Sequence, residues 1–449
     1  MERYFILNGY AFPSFKCEMA GVLMKIIKGL RWYMIGLVML ATVLNYLARN
    51  SLSVAAPTMM HELNITIQQY SYIDAVFKGC YTLMQPVAGF ILDFLGTKTG
   101  YIIFAVAWGL LNMAHAFAGS WGSLAFLRGA LGAAEAAVIP AGLKASSEWF
   151  PAKERSVAVG WFNAGAAIGG VIAPPLVAWA ILAHSWNFAF LITGGVSLIW
   201  AIAWYKFYNS PDKHKNISKE ELKYIKEGQE EQHQATNNKR APVSTLLKNR
   251  QFWGIALPRF LAEPAWGTLN AWIPLFLFKA YGMDIKQIAM LAWLPMVFAD
   301  VGCIVGGYLP GFFQKRFGVT LVVSRKLVVT VGALCMIGPG LIGLYSNPYF
   351  AILMLCFGGF AHQTLSGALI TLSSDLFGRN EVATANGLTG MIGWGGSTIF
   401  TLVVGALVET IGFSPLFVML TIFEMLAMTI VWTVIKEPKR KYEHLSASS

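Results

Sequence analysis

Of the charged residues inside long apolar runs of this 449-residue chain, seven fall into sets: Arg49, Asp74, Lys78, Arg128, Glu135, Arg259 and Glu263. Charge at hydrocarbon depth is costly, and it is kept where something charged must bind or pass. The residue types indicate which chemistry that is. A guanidinium can hold a carboxylate through two parallel hydrogen bonds, so Arg49 and Arg128 suit an anionic ligand. A carboxyl at that depth can be charged or neutral, which makes Glu135 a candidate proton carrier and Asp74 a weaker one. Arg128 and Glu135 are seven residues apart on one helix face. At about 10 Å along the axis they are too far apart for an easy direct pair.

Two further stripes share one spacing, i, i+4, i+7 and i+11: Asp74, Lys78, Tyr81 and Gln85, then Arg259, Glu263, Trp266 and Asn270. Each stripe lies on one face of a helix. Asp74 and Lys78 either neutralise one another or leave Asp74 to a proton. Arg259 either pairs with Glu263 or binds a ligand's carboxylate. Tyr46, Tyr81, Asn163, Asn270, Gln363, Ser366 and Thr389 offer neutral donors and acceptors for a polyhydroxylated ligand. His362 can do the same, act as a proton shuttle or serve packing alone.

The elements that position these residues follow from hydropathy. A bilayer core about 30 Å thick needs about 20 apolar residues in a helix. Twelve stretches qualify: 32–57, 70–92, 99–120, 122–145, 156–180, 184–207, 251–278, 287–312, 326–346, 348–373, 383–408 and 412–435. Asn347-Pro348 is the turn signal between the ninth and tenth. The chain divides into an N-terminal segment (1–31), a six-helix bundle (32–207), a linker (208–250), a second bundle (251–435) and a tail (436–449). Pro258, Pro264 and Gly267 are expected to interrupt the seventh span. Asp300 and Glu424 are lone intramembrane acids, expected to be structural or interfacial.

Composition supports this reading. Charged residues are 13% of the chain, against roughly 25% in soluble domains. This excludes a soluble enzyme, a nucleic-acid binder and a disordered scaffold. With both termini cytoplasmic, 28 of the 34 Lys and Arg fall on the inner side and only Lys279 and Lys286 on the outer. That bias sets the orientation and accounts for the net charge of +11 without nucleic acid. On the same depth scale Arg49 lies about 25 Å up span one and Arg128 about 9 Å down span four, at similar levels. The five scattered cysteines read as buried thiols rather than disulfides or metal ligands. No cleaved signal peptide is indicated, and Met24, opening a basic run, is a candidate start of translation.

The halves repeat. Phe150, Glu154, Ala158, Gly160 and Gly169 recur at a constant offset of 227 as Phe377, Glu381, Ala385, Gly387 and Gly396. Repeated six-span units point to a carrier with a site between two bundles. The glycines at 165–170 read as close helix packing. Ser218-Lys-Glu-Glu221 in the linker resembles a capping box opening a surface helix.

Gly89-Phe-Ile-Leu-Asp93-Phe-Leu-Gly96-Thr-Lys98 resembles the signature loop of the major facilitator superfamily. The resemblance implies that Gly89 and Gly96 permit tight helix ends and that Asp93 bridges to neighbouring spans. In the second-half counterpart, Gly307–Gly318, Pro310 replaces the acidic residue, so that gate is expected to be weaker or differently built. Asn45-Tyr46-Leu-Ala48-Arg49, Arg128 with Glu135, and Trp149–Arg155 resemble the anion:cation symporter family. Glu135–Arg155, Phe252–Thr268 and Arg379–Gly390 look like bacterial hexuronate transporters, which carry galacturonate and glucuronate. Many sugar-acid members have Asp where Ala48 stands, so any proton role of that Asp does not carry over.

The resemblance implies an all-α fold of twelve transmembrane helices in two pseudo-symmetric bundles. It also implies proton-driven uptake of a hexuronate, or another organic anion, across the bacterial inner membrane. The expected partners are the sugar-acid anion, a proton and the bilayer, with the protein a monomer without cofactor or metal. A drug/proton antiporter would not need the clustered arginines. A transport-inactive sensor would need a long extension, and an intramembrane enzyme would need a catalytic arrangement that is not evident. The orientation is testable in a cysteine-free background. An impermeant maleimide should label Gly282→Cys in intact cells and Thr236→Cys only after permeabilisation; the reverse pattern would invert the topology.

Overall fold

Several helices start at polar caps and four spans end at glycines of positive φ, Gly96, Gly282, Gly318 and Gly412, so the apolar runs become discrete spans. The computed structural model describes residues 5–7, 10–12, 29–151, 154–233, 243–377 and 382–437. Spans one to six are Leu30–Glu62, Ile67–Leu95, Thr97–Phe117, Trp121–Trp149, Arg155–Ala183 and Trp186–Phe207. Span seven comprises Arg250–Ala271 and Ile273–Tyr281. Spans eight to twelve are Ile285–Phe317, Leu321–Leu344, Pro348–Leu376, Val382–Ile411 and Ser414–Val434. A short antiparallel hairpin, Phe5–Leu7 with Tyr10–Phe12, precedes them.

Eleven of these spans are apolar and long enough to cross a bilayer. The seventh falls short because Arg250, Arg259, Glu263, Asn270 and two prolines dilute it. Most helices extend a few residues beyond the apolar stretches, because their backbone groups are still best paired internally at the membrane boundary. Phe94, Phe126 and Tyr308 are each at least 75% exposed, as suits side chains that meet lipid.

Caps mark the boundaries. Thr66 and Gln69 form a capping box ahead of span two, and Asn347 caps span ten through Tyr349 N and Phe350 N. Gly96 (φ +80°) and Gly318 (φ +65°) turn the chain at equivalent places in the two halves, where a side chain would be strained.

The internal repeat is realised in the packing. Span one packs on five as seven packs on eleven, and two on four as eight on ten. Gly165 and Gly169 lie against the carbonyls of Met39 and Val43, and Gly396 lies against that of Phe260. Pro264 explains the last contact: lacking an N–H, it deprives the Phe260 carbonyl of its helical donor. Glu381 and the 234–242 stretch of the linker lie outside the described residues.

The halves share one apolar core at the end away from the termini, where Ile65, Ala118, Trp186, Trp272, Met283 and Phe413 meet. Near the termini the described residues form two separate cores, one per half. The linker helix Lys219–His233 docks on the first half. Ser218 Oγ accepts from Glu221 N at 3.1 Å, the expected half of a capping box. The Glu221 carboxylate, however, turns away to the span-one terminus, accepting from Leu30 N and Arg31 N at 3.0 and 3.2 Å. Arg31 also pairs with Glu154.

Two expectations are corrected. Pro258, Pro264 and Gly267 do not break span seven; its break falls at Trp272, just ahead of Pro274. Cys303 is exposed rather than buried, while Cys17 lies outside the described residues. Gly396→Val should overpack the span-seven crossing and destabilise by about 1–3 kcal/mol or more. Gly195→Ala, in a helix with open space beside it, should be neutral or stabilising by about 0.5–1 kcal/mol. Thermal aggregation followed by size-exclusion chromatography in detergent ranks the two.

Candidate functional site

Span four places its two charges through a local break. Its first helix ends at Glu135 and the second starts at Val138. Pro140 cannot donate to the Ala136 carbonyl and crowds it, so the helix yields directly after Glu135. The buried carboxylate meets Arg49 of span one: its Oε2 accepts a hydrogen bond from Arg49 Nε at 3.1 Å and lies 3.1 Å from Nη2 as an ion pair. The guanidinium lies 4.8 Å from the rings of Tyr46 and Tyr81 and 5.2 Å from Phe77. Cation–π attraction thus holds it within an aromatic cage.

Arg128 is placed differently. Its Nη2 donates to the Arg49 carbonyl at 3.0 Å, so the arginines do share a level in the membrane. Its guanidinium lies 5.3 Å from the other contact of the Arg49 cage, Phe77. Arg128 is 3% exposed, its Nε has no hydrogen-bond partner, and among the described residues no carboxylate lies within ion-pair distance of it.

The third charged group crosses between the halves. Asp74 Oδ2 and Lys78 Nζ are 2.6 Å apart. Thr401 of span eleven donates to Asp74 and accepts from Lys78, each at 2.8 Å. Gly267 of span seven makes this clasp possible, since a methyl there would meet Ser397 Oγ and Lys78 Nζ. The break in span seven is used as well: Tyr70 donates to the freed Ala271 carbonyl at 2.8 Å.

These groups surround a cavity of about 40 Å³ between the halves, lined by Arg49, Asp74, Lys78, Arg128, Asn270 and Trp394 among others. That is room for about three water molecules and far smaller than the roughly 300 Å³ of a formed ligand pocket. Two of its cations are matched, Arg49 by Glu135 and Lys78 by Asp74. Arg128 leaves one positive charge over.

Of the residues expected to meet a ligand, Arg49, Arg128 and Asn270 line this cavity, as does Asp74. Tyr46 and Tyr81 instead cover Arg49. Arg259 does not pair with Glu263: its Nη1 donates to Thr389 Oγ1 at 3.3 Å and to the Asn386 carbonyl at 3.5 Å, fastening span seven to eleven. Thr389 is thereby occupied. His362 is buried between Glu263 and Glu424, which gives Glu424 a partner that sequence spacing does not show. Asn163, Gln363 and Ser366 lie outside the cavity lining. Sequence reasoning passed over Tyr70 and Trp394; Tyr70 extends the Asp74–Lys78 stripe by one turn, whereas Trp394 carries no periodic signal.

At the signature loop Asp93 accepts from Lys144 Nζ at 2.8 Å, joining spans two and four. Lys98 donates to Asn209 at 2.9 Å. Gly89 sits inside the second helix with open space beside it, so only Gly96 makes the tight end. In the second half an ionic contact, Arg325–Asp375 at 3.2 Å, joins spans nine and ten instead.

Two six-span bundles with a charged cavity between them define a polytopic membrane protein built as a carrier. The chain belongs to the Major Facilitator Superfamily, whose family model matches residues 38–324 and 309–448. It is 67% identical over 413 residues to the hexuronate transporter of Escherichia coli K12, covering 92% of this chain and 96% of that one. It is also 67% identical to the galacturonate transporter of Dickeya chrysanthemi over 326 residues, 73% of this chain and 94% of the other. Among solved structures it resembles a bacterial homologue of the human lysosomal transporter Spinster in an inward-facing, occupied conformation. That match has a TM-score of 0.73 at 16% identity and covers 90% of this chain and 97% of the other.

The Arg49–Glu135 pair gives a stability test. Glu135→Ala strands a buried guanidinium and should destabilise by about 3–5 kcal/mol. Arg49→Met combined with Glu135→Leu should restore most of that, because the stranded charge is gone. Thermal unfolding of the two variants reads the difference; equal loss in the single and double variants would contradict it.

Proposed function

We propose that this protein takes up a hexuronate, galacturonate or glucuronate, across the bacterial inner membrane by proton symport with alternating access. The observation that carries the reading is Arg128, a buried guanidinium without a carboxylate partner at a cavity between the halves. A buried unpaired charge is strongly destabilising; a monoanionic sugar acid supplies the missing carboxylate, which Arg128 shares with Arg49 once Glu135 is protonated. The identity to the hexuronate and galacturonate transporters supports this choice of anion.

The geometry suggests how proton and substrate are linked. Glu135 and a substrate carboxylate compete for Arg49. Protonation of Glu135 removes its charge and frees the guanidinium. The substrate carboxylate then bridges Arg49 and Arg128, while Asn270 and the neighbouring Asn50 and Ser53 meet hydroxyls as the cavity widens. Asn163, Gln363 and Ser366 come into reach only in that wider state. Release of substrate and proton lets the Arg49–Glu135 pair re-form.

With both termini cytoplasmic, the core shared by the two halves closes the periplasmic side. The separate cores mark the cytoplasmic side, where Asp93–Lys144 and Arg325–Asp375 brace each half. Opening toward the periplasm requires the Asp74–Lys78–Thr401 clasp and the Tyr70–Ala271 bond to part.

In proteoliposomes, Glu135→Gln should lose accumulation driven by a proton gradient by about tenfold or more while still exchanging labelled galacturonate for unlabelled. Arg128→Gln should weaken binding by roughly 10- to 100-fold, the equivalent of one to two charge-assisted hydrogen bonds. Full gradient-driven accumulation by Glu135→Gln would remove the proton assignment. Undiminished binding by Arg128→Gln would remove the anion site.

A further inference from the structure

The second half buries three ionisable side chains in a row that the transport cycle above does not use. Glu263 comes from span seven, His362 from span ten and Glu424 from span twelve. His362 Nδ1 lies 3.3 Å from Glu424 Oε1, and Nε2 lies 3.8 Å from Glu263 Oε2. The side chains of His362 and Glu424 are 2% and 0% exposed, and that of Glu263 is 10% exposed. The imidazole stacks on Trp266 with ring centroids 5.9 Å apart, and Trp266 lines the central cavity. Glu424 Oε2 is buried with no hydrogen-bond donor.

Among the described residues the carboxylates have no ion-pair partner besides His362. Arg259, one turn before Glu263, directs its Nη1 to span eleven. Span eleven presents Gly393 to Glu263. The other titratable neighbours are Cys335 of span nine near Glu424 and Tyr46 of span one toward Glu263. Fully deprotonated, the row carries two negative charges, and with His362 alone protonated it carries one. Neutrality needs two protons shared among three groups. Low-dielectric surroundings disfavour each uncompensated charge.

We propose that Glu263, His362 and Glu424 form a second proton-binding site, in the opposite half from Arg49–Glu135 and adjoining the cavity at Trp266, on which His362 stacks. A proton taken up on Glu263 passes to His362 Nε2 as the Nδ1 proton moves to Glu424 Oε1. One N–H bond breaks and one forms, an O–H forms on Glu424, and Glu263 returns to the carboxylate, with no change of oxidation state. The role of such a site in coupling rests on the proton-symport reading; its existence does not.

The test is pH-difference infrared spectroscopy of the full-length protein in lipid, without substrate. The wild type should show a protonated-carboxyl C=O band that persists in Glu135→Gln and is lost or reduced in Glu424→Gln. His362→Gln should shift the pH midpoint of that band by about one unit or more. A Glu424→Gln spectrum superimposable on the wild type, in protein of native elution volume, would overturn the site. If Glu424→Gln does not survive purification, Glu424→Asp should move the band in frequency, and a band unmoved by that change is the same refutation. A wild type that fails to accumulate hexuronate under a proton gradient would sink proton symport while leaving these bands to decide the site.

Discussion

The buried ion pair between Arg49 and Glu135 is the constraint around which the first half is arranged. A guanidinium and a carboxylate taken from water must recover their hydration through geometry and neighbouring groups. Here Oε2 accepts from Arg49 Nε with Nη2 also at ion-pair distance, and aromatic rings of spans one and two surround the cation. That requires spans one, two and four to approach closely. Gly132 allows it by seating span four on the Phe77 carbonyl of span two, and Gly165 and Gly169 seat span five on span one. Arg128, fastened to the backbone of Arg49 and short of a carboxylate, is the remainder of the same arrangement.

The second half repeats the scaffold but not the charges. Gly396 against span seven answers Gly169 against span one, and Gly318 answers Gly96. The ionisable residues diverge. Arg259 braces span eleven instead of meeting a carboxylate, and the buried acids gather around His362. Backbone approach depends on small residues at repeating positions, which the repeat preserves. Charge placement depends on which long side chains fill the space left over, which it does not preserve.

Much of the architecture is readable from local pattern. The twelve apolar runs, the linker and the glycine offsets each follow from a bilayer thickness or a helical period, and the helices observed enclose most of those stretches. The common level of Arg49 and Arg128 follows from counting residues along opposed helices. The partners are less legible. Spacing along span four correctly discourages an Arg128–Glu135 pair but says nothing of Arg49, which reaches the carboxylate from another span. The proline-rich first part of span seven looked broken by Pro258 and Pro264, yet its helix continues to Ala271, and the freed carbonyls serve as contacts for Gly396 and Tyr70.

What the sequence determined by itself was the membrane class, the number of crossings, the twofold repeat and the set of charges kept at depth. Each is a one-dimensional property, set by hydropathy, period and count. The tertiary structure alone decided which charge meets which. It matched Arg49 to Glu135, joined Asp74 and Lys78 to Thr401, placed His362 between two acids and left Arg128 unmatched. The physical reason is range: an ion pair forms within a few ångströms, and packing brings together residues as far apart in the chain as Asp74 and Thr401.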